Sequence, residues 1–235
     1  MSKIAIMGAM PEEVAPIVAK LDNMSKTEYA ANTYYEGTYH GQEVVVAYSK
    51  IGKVFATLTA TILLEKFGCD RLLFSGVAGA ISETLNIGDL IIANGLSQHD
   101  LDITAFGHPF GYVPEGQVCI PTDEALRSIA KEVASAKGLT LKEGIIATGD
   151  QFVHDATRKE WIGSTFNADA LEMEGASVAV VCSSLDVPFF ILRAISDSAD
   201  MDASFNFDAF LESSAKISAD FILSMVDALN RDARA

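Results

Sequence analysis

Three places in the chain put acidic side chains where a strand pattern gives way to a turn. The first is Gly8-Ala9-Met10-Pro11-Glu12-Glu13, directly after the apolar run Lys3–Met7. Pro11 suits the first turn of a helix, where its missing N–H costs nothing, and Glu12 and Glu13 in that turn are favoured by the helix dipole. The second is Ala170-Leu171-Glu172-Met173-Glu174-Gly175. Glu172 and Glu174 stand two apart in an extended run, so both side chains project from one face. Their neighbours Ala168–Leu171 and Ala176–Val181 are apolar. Two carboxylates in such surroundings repel each other and lose hydration, which perturbs their proton affinity. The third is Ser196-Asp197, delivered by Phe189-Phe190-Ile191-Leu192-Arg193-Ala194-Ile195. Carboxylates gathered at one rim could give and take protons, the work of general acid–base catalysis. Dipole compensation at Glu12 and Glu13, an edge strand at Glu172 and a capped turn at Ser196 remain sufficient explanations for each segment singly.

Other strings point elsewhere and fail on detail. Gly76-Val77-Ala78-Gly79-Ala80 ends a strand pattern, and its small residues would let the backbone approach a ligand. It has neither the Gly-x-Gly-x-x-Gly of a dinucleotide cradle nor a Lys-Ser/Thr for a triphosphate. Asp100-Leu101-Asp102-Ile103-Thr104 matches the Asp-x-Asp-x-Thr of haloacid dehalogenase-type phosphatases, but Gly95–His99 precedes it in place of a continuous apolar strand. The acidic spacing Asp197–Asp208 lacks the glycine and the closing glutamate of a calcium loop. His40, His99, His108 and His154 form no helical pair, so a metal site is not expected. No Gly-x-Ser-x-Gly elbow is present.

The elements that must carry these residues alternate along the chain. Lys3–Met7, Val44–Tyr48, Arg71–Ser75, Leu90–Ala93, Gly144–Thr148, Ala168–Met173 and Phe189–Ile195 read as short, mostly buried strands. Pro11–Leu21, Val54–Phe67, Asp123–Ala136, Thr157–Phe166, Gly175–Leu185 and Asp208–Asn230 carry apolar residues at helical spacing. Thr33–Tyr39 and Glu43–Tyr48, joined at His40-Gly41, read as a hairpin. This pattern predicts an α/β fold: a single domain, residues 1–235, with a central mixed, largely parallel twisted sheet flanked by helices. Ligands of open α/β sheets sit outside the carboxyl ends of the strands, where the acidic segments fall.

Composition narrows the partners. The 235 residues carry 17 basic and 32 acidic side chains, a net −15, which repels phosphate backbones and anionic lipid. Neither nucleic acid nor a membrane is expected as a partner. Cys69, Cys119 and Cys182 are odd in number and far apart, which suits a reducing compartment. No secretion signal or apolar run of spanning length is read, so the expected location is the cytoplasm.

Taken together the segments resemble the bacterial 5′-methylthioadenosine/S-adenosylhomocysteine nucleosidases of the nucleoside phosphorylase superfamily. The resemblance runs from Lys3 to about Leu229. It rests on Ile6–Glu13, Ser49-Lys50-Ile51-Gly52-Lys53, Ser75–Gly79, Asp102-Ile103-Thr104-Ala105-Phe106-Gly107, Gly149-Asp150-Gln151-Phe152-Val153, Glu172-Met173-Glu174 and Arg193–Asp197, all in chain order. It implies hydrolysis of the N-glycosidic bond of 5′-substituted adenine nucleosides without cofactor or metal. Glu13 resembles the base that activates water, with Arg193 and Ser75 beside that water. Glu174 resembles the acceptor of the ribose hydroxyls, with Met173 packed on the sugar. Asp197, helped by Ser196, resembles the acid that protonates adenine N7. Phe152 would stack on the base and the Val153 backbone would read its edge. Met10, Ile51, Val77, Ala78, Gly79 and Glu172 would complete the substrate pocket, and Phe207 would line its 5′ end.

The resemblance further implies a homodimer in which Ile103, Phe106, His108 and Pro114 reach into the neighbouring subunit's pocket. His108 stands where many relatives carry an aromatic, which makes that rim more polar. Tyr48–Lys53 and Gln151–His154 lean toward members that also cleave 6-amino-6-deoxyfutalosine. Methionine salvage and menaquinone synthesis are the implied settings. Two alternatives stay open: a purine nucleoside phosphorylase, and a nucleoside-binding domain without turnover. A phosphorylase needs cations around a dianion, whereas the first turn here offers Glu12 and Glu13.

Overall fold

A computed structural model of the chain describes residues 2–197 and 207–232, apart from the side chains of 207–209 and 232. The side chain of Phe207 and most of the Asp197–Asp208 acidic stretch therefore lie outside the described residues.

Strands and helices alternate as β1 (Lys3–Gly8), α1 (Pro11–Val18), β2 (Asp22–Tyr29), β3 (Asn32–Tyr39), β4 (Gln42–Tyr48), α2 (Lys53–Thr61), β5 (Arg71–Ala80) and β6 (Leu90–Gln98). They continue as β7 (Cys119–Pro121), α3 (Glu124–Lys137), β8 (Leu141–Thr148), α4 (Ala156–Phe166), β9 (Ala170–Glu172), α5 (Gly175–Ser184), β10 (Phe189–Asp197) and α6 (Phe207–Asp232). Local chemistry sets several of these ends. The Asp123 side chain caps α3 by accepting from Leu126 N, and Gly138 closes that helix at φ +65°. Asp155 caps α4 by accepting from Arg158 N. Beyond α2 the helix widens into a single π turn, Ile62–Lys66, before the chain drops into β5.

Two strands depart from the sequence expectation. β2 is exposed along nearly its whole length and mostly polar, so it carries no apolar period, and pairing with β3 alone defines it. β7 is three residues long and is defined by its pairing with β6. The strand expected over Ala168–Met173 shrinks to β9, because the chain turns into α5 immediately after Glu172.

The sheet is mixed. Strand β1 pairs parallel with β4 and β5, and β5–β10, β6–β8 and β8–β9 are also parallel. The pairs β10–β6, β2–β3, β3–β4, β5–β9 and β6–β7 are antiparallel. The expectation of an open sheet meets a difference here: β5, β10, β6, β8 and β9 each pair with the next, and β9 returns to β5, which closes a five-stranded ring. From it β1, β4, β3 and β2 extend as a wing. Helices α2 and α5 cover one apolar layer, with Ala56, Ala60, Leu63, Val178 and Cys182 buried. Helices α1, α3 and α6 cover the other, with Ile17, Ala130, Phe221 and Met225 buried. No helix among the described residues is long and apolar enough to cross a membrane.

Strand β5 changes partners along one edge. Residues Arg71–Phe74 pair with β1, and Gly79–Ala80 pair with β9. Between these two stretches the edge is left to side chains from the ends of β1, β9 and β10, and the candidate site lies there.

Candidate active site

Glu13 reaches the gap from the first turn of α1. Its Oε2 accepts from Ala9 N at 2.6 Å and from Met10 N at 2.9 Å, so the carboxylate fills the anion position at the helix N-terminus. Glu12, its neighbour, faces solvent. Burial pushes the Glu13 carboxyl above the usual carboxylate range, against the opposing pull of the Met10 N–H, the nearby Arg193 charge and the Ala9 and Val77 N–H groups. Gly76 of β5 makes this approach possible. A Cβ there would lie 3.0 Å from Glu13 Oε1 and 3.4 Å from the Arg193 guanidinium.

Arg193, wholly buried in β10, is locked before any ligand arrives. Its Nη2 donates to Glu172 Oε2 at 2.7 Å, its Nη1 donates to Leu192 O at 3.0 Å, and its plane lies over the Phe74 ring at 4.1 Å. Glu172 is likewise committed. It accepts from Arg193, from Thr148 Oγ1, and from the backbone N–H groups of Glu174 and Gly175 at 2.8–3.1 Å. The two acids expected to share one face of a strand therefore divide. Glu172 borders the cavity but spends its oxygens holding the turn. Glu174, at the start of α5, accepts from Gly52 N at 2.7 Å. Burial, and then the Glu172 charge, push the Glu174 carboxyl up to about 8.

Asp197 ends β10, where an irregularity in register between Ile195 and Asp197 against β5 re-aims the strand end. It is 7% exposed, and its Oδ2 accepts from Ser196 Oγ at 2.6 Å.

These groups border one cavity of about 650 Å³, counted to its open mouth. Of the residues anticipated from sequence, Met10, Glu13, Ile51, Val77, Ala78, Gly79, Phe152, Val153, Glu172, Met173, Glu174, Arg193, Ser196 and Asp197 all border it. Phe152 is half-exposed at the mouth while Val153 is buried behind it.

Ser75 does not line the main cavity itself but borders an adjoining void together with Glu13. It alternates with Phe74 and Gly76 along β5, so it turns toward α6. The Ser75 void, of about 170 Å³, is also bordered by Ser214 and Ser218, and Glu13, Gly76 and Val77 line both it and the main cavity. Ile103, Phe106, His108 and Pro114 also stay outside their own chain's cavity. Phe106 is 82% exposed and His108 stacks on Tyr112 with ring centres 4.4 Å apart. Sequence reasoning missed Phe74 as a wall and Thr148 as the hydroxyl behind Glu172. It also missed the Gly52 N–H on Glu174, although Gly52 lies inside a motif already singled out.

Comparison with known proteins places nearly the whole chain among nucleosidase relatives. An aminodeoxyfutalosine nucleosidase of Campylobacter jejuni is 56% identical over 229 residues, covering 97% of this chain and all of the relative. A 5′-methylthioadenosine/S-adenosylhomocysteine nucleosidase of a Geobacillus species is 42% identical over 231 residues, with the same coverage. A crystal structure of a Helicobacter pylori nucleosidase mutant with 5′-methylthioadenosine in the active site superposes with a TM-score of 0.94. It is 49% identical, and the match covers 97% of this chain and 99% of that one. Residues 3–227 match the sequence profile of the phosphorylase superfamily, and the chain belongs to that superfamily.

Proposed function

We propose that residues 1–235 act as one nucleosidase domain, which hydrolyses the N-glycosidic bond of 5′-substituted adenine nucleosides and releases adenine. The observation that carries this reading is three buried carboxylates, Glu13, Glu174 and Asp197, bordering one cavity. The substrate range we propose includes 6-amino-6-deoxyfutalosine as well as the thioether nucleosides, because relatives bearing both names align over nearly the whole chain.

Adenine leaves poorly as an anion, so a proton delivered to N7 lowers the barrier, by about 10²–10⁴-fold for a well-placed acid. Asp197 takes that role, oriented by Ser196. As the bond lengthens the sugar becomes oxocarbenium-like, and nearby carboxylates stabilise its charge. Glu174 faces the ribose hydroxyls and holds a proton at neutral pH in the free enzyme. The carbonyl oxygen of that carboxyl, the negative end of its dipole, faces the growing positive charge on the sugar, and no proton leaves it. Glu13, its carboxyl raised above the ordinary carboxylate range by burial and held by the Ala9 and Met10 N–H groups, accepts the proton of the attacking water. Phe152 stacks on the base, the Val153 backbone reads its edge, and Met173 packs on the sugar.

Phosphorolysis is disfavoured by the charges at hand. Arg193 is the one basic residue among the described residues bordering the cavity, and Glu172 already neutralises it. A phosphate dianion there would meet Glu13 and Glu174 without a free cation.

We further propose a cytoplasmic homodimer with shared sites. Val54, Phe55 and Leu58 on α2 are exposed, as are Ile51 just before it and Phe106 and Phe110 on the connection between β6 and β7. Apolar exposure of this extent marks an interface. The deciding assay is product analysis with and without phosphate. Free sugar should form at the same rate in both, and formation of a ribose 1-phosphate would refute hydrolysis.

A further inference from the structure

The Asp100–Thr104 string, unclaimed by the chemistry above, contributes its first residue to a closed ring of contacts. Asp100 Oδ1 accepts from Lys53 Nζ at 2.6 Å, and Asp100 Oδ2 accepts from Asp150 N at 2.8 Å. Asp150 Oδ1 in turn accepts from Lys53 N at 2.8 Å, which closes the ring. Gln98 Oε1 takes a further hydrogen bond from Lys53 Nζ at 3.0 Å. The Lys53 and Asp100 side chains are only 18% and 16% exposed. Gly52, at φ +101°, leaves no room for insertion: a Cβ there would sit 3.0 Å from Asp150 Oδ1. Asp102, by contrast, is spent on its own turn, accepting from Thr104 N and Oγ1.

None of Lys53, Asp100 and Asp150 borders the cavity, yet each adjoins something that does. One residue before Lys53, the Gly52 N–H holds Glu174, the proposed ribose group. Two and three residues after Asp150 come Phe152 and Val153, the proposed base wall. We infer that Asp100 is a positioning residue which, through Lys53 and Asp150, fixes the spacing between the ribose wall and the base wall of the site. The inference rests on the adenine nucleoside reading above. A nucleoside touches both walls at once, so a fixed spacing lowers the ordering cost of binding it. Free adenine touches only one wall and gains nothing from the joint.

The test is Asp100→Asn and Lys53→Met, singly and together, with KM for 5′-methylthioadenosine and the inhibition constant for free adenine measured on each. An asparagine keeps one acceptor oxygen and turns an NH₂ toward a donor, so one side of the ring must open. Nucleoside KM should rise about tenfold or more, which is about 1.4 kcal/mol, while adenine inhibition stays within about twofold. The double variant should be no worse than the poorer single one, because both break the same ring. Lys53→Met carries the test alone if Asp100→Asn does not fold by circular dichroism. A nucleoside KM within about twofold of the parent, equal weakening of adenine and nucleoside, or failure of both variants to fold would each overturn the inference. A parent enzyme that releases no adenine would instead strike the nucleosidase reading.

Discussion

Glu174→Gln should make the protein more stable and far less active. The Glu174 carboxyl rises from 4.5 to about 8 because it is buried beside Glu172. Below pH 4.5 it is protonated in both folded and unfolded chains and costs nothing. Between pH 4.5 and 8 the unfolded chain ionises it freely while the fold resists, so native stability is lost as pH rises through that window. At about 1.36 kcal/mol per pH unit, the penalty at pH 7 has an upper bound of about 3.4 kcal/mol. Relaxation around the open cavity reduces this, and about 2 kcal/mol is the expected size. Glutamine is nearly isosteric, keeps an acceptor for the Gly52 N–H, and removes the charge. For 235 residues a gain of about 2 kcal/mol corresponds to about 4–8 °C in Tm. Thermal unfolding of both proteins from pH 4 to 8.5 reads the effect directly. The Tm curves should meet near pH 4.5 and separate steadily above it. The same substitution removes a group that stabilises the oxocarbenium-like sugar, so kcat/KM should fall about 10²-fold or more. A Tm difference of zero, of opposite sign, or independent of pH would refute the burial argument for Glu174.

Two further outcomes are expected. Asp197→Asn keeps an oxygen to accept from Ser196 and should fold normally, yet kcat should drop about 10²-fold or more because an amide cannot deliver the proton; near-normal turnover would reduce Asp197 to a turn residue. Phe106→Ala should raise KM for thioether nucleosides more than it lowers kcat if, as proposed, the exposed Phe106, which lies outside its own chain's cavity, completes a neighbour's. Light scattering across a dilution series, paired with activity per subunit, checks this, and a fully active monomer would disprove the shared pocket.

The sequence was most readable where burial and chemistry coincide. Runs such as Phe189–Ile195 are buried on both faces and could hardly be anything but central strands. The acidic segments at Glu12-Glu13, Glu172–Glu174 and Ser196-Asp197 are visible as acids beside such runs, but the choice of Glu13, Glu174 and Asp197 among them comes from the family resemblance. What stayed hidden depends on partners remote in sequence. The polar strand β2 exists because β3 pairs with it, and nothing in Asp22–Tyr29 alone records that. Glu172 and Glu174 looked equivalent by spacing, yet Arg193, 21 residues on, claims the first and leaves the second to Gly52, 122 residues back.

The closure of the sheet explains why the site lies where it does. In an open sheet, a strand-end site is a crevice between diverging loops. Here β5 holds β1 along its first half and β9 along its end, so one continuous strand spans both sides of the gap. The carboxylates from α1, α5 and β10 are therefore referenced to a single rigid element. That arrangement suits a reaction in which an acid on one face and a base on the other must act on one short glycosidic bond. Strand β9 is only three residues long, too short to hold by backbone pairing alone. The Glu172 contacts to Arg193 and Thr148 fasten its end to β10 and β8. The buried ion pair thus serves the ring first and the cavity second. Its worth lies in the fixed position of the Glu174 that follows it in sequence, more than in net stability, which buried pairs seldom supply.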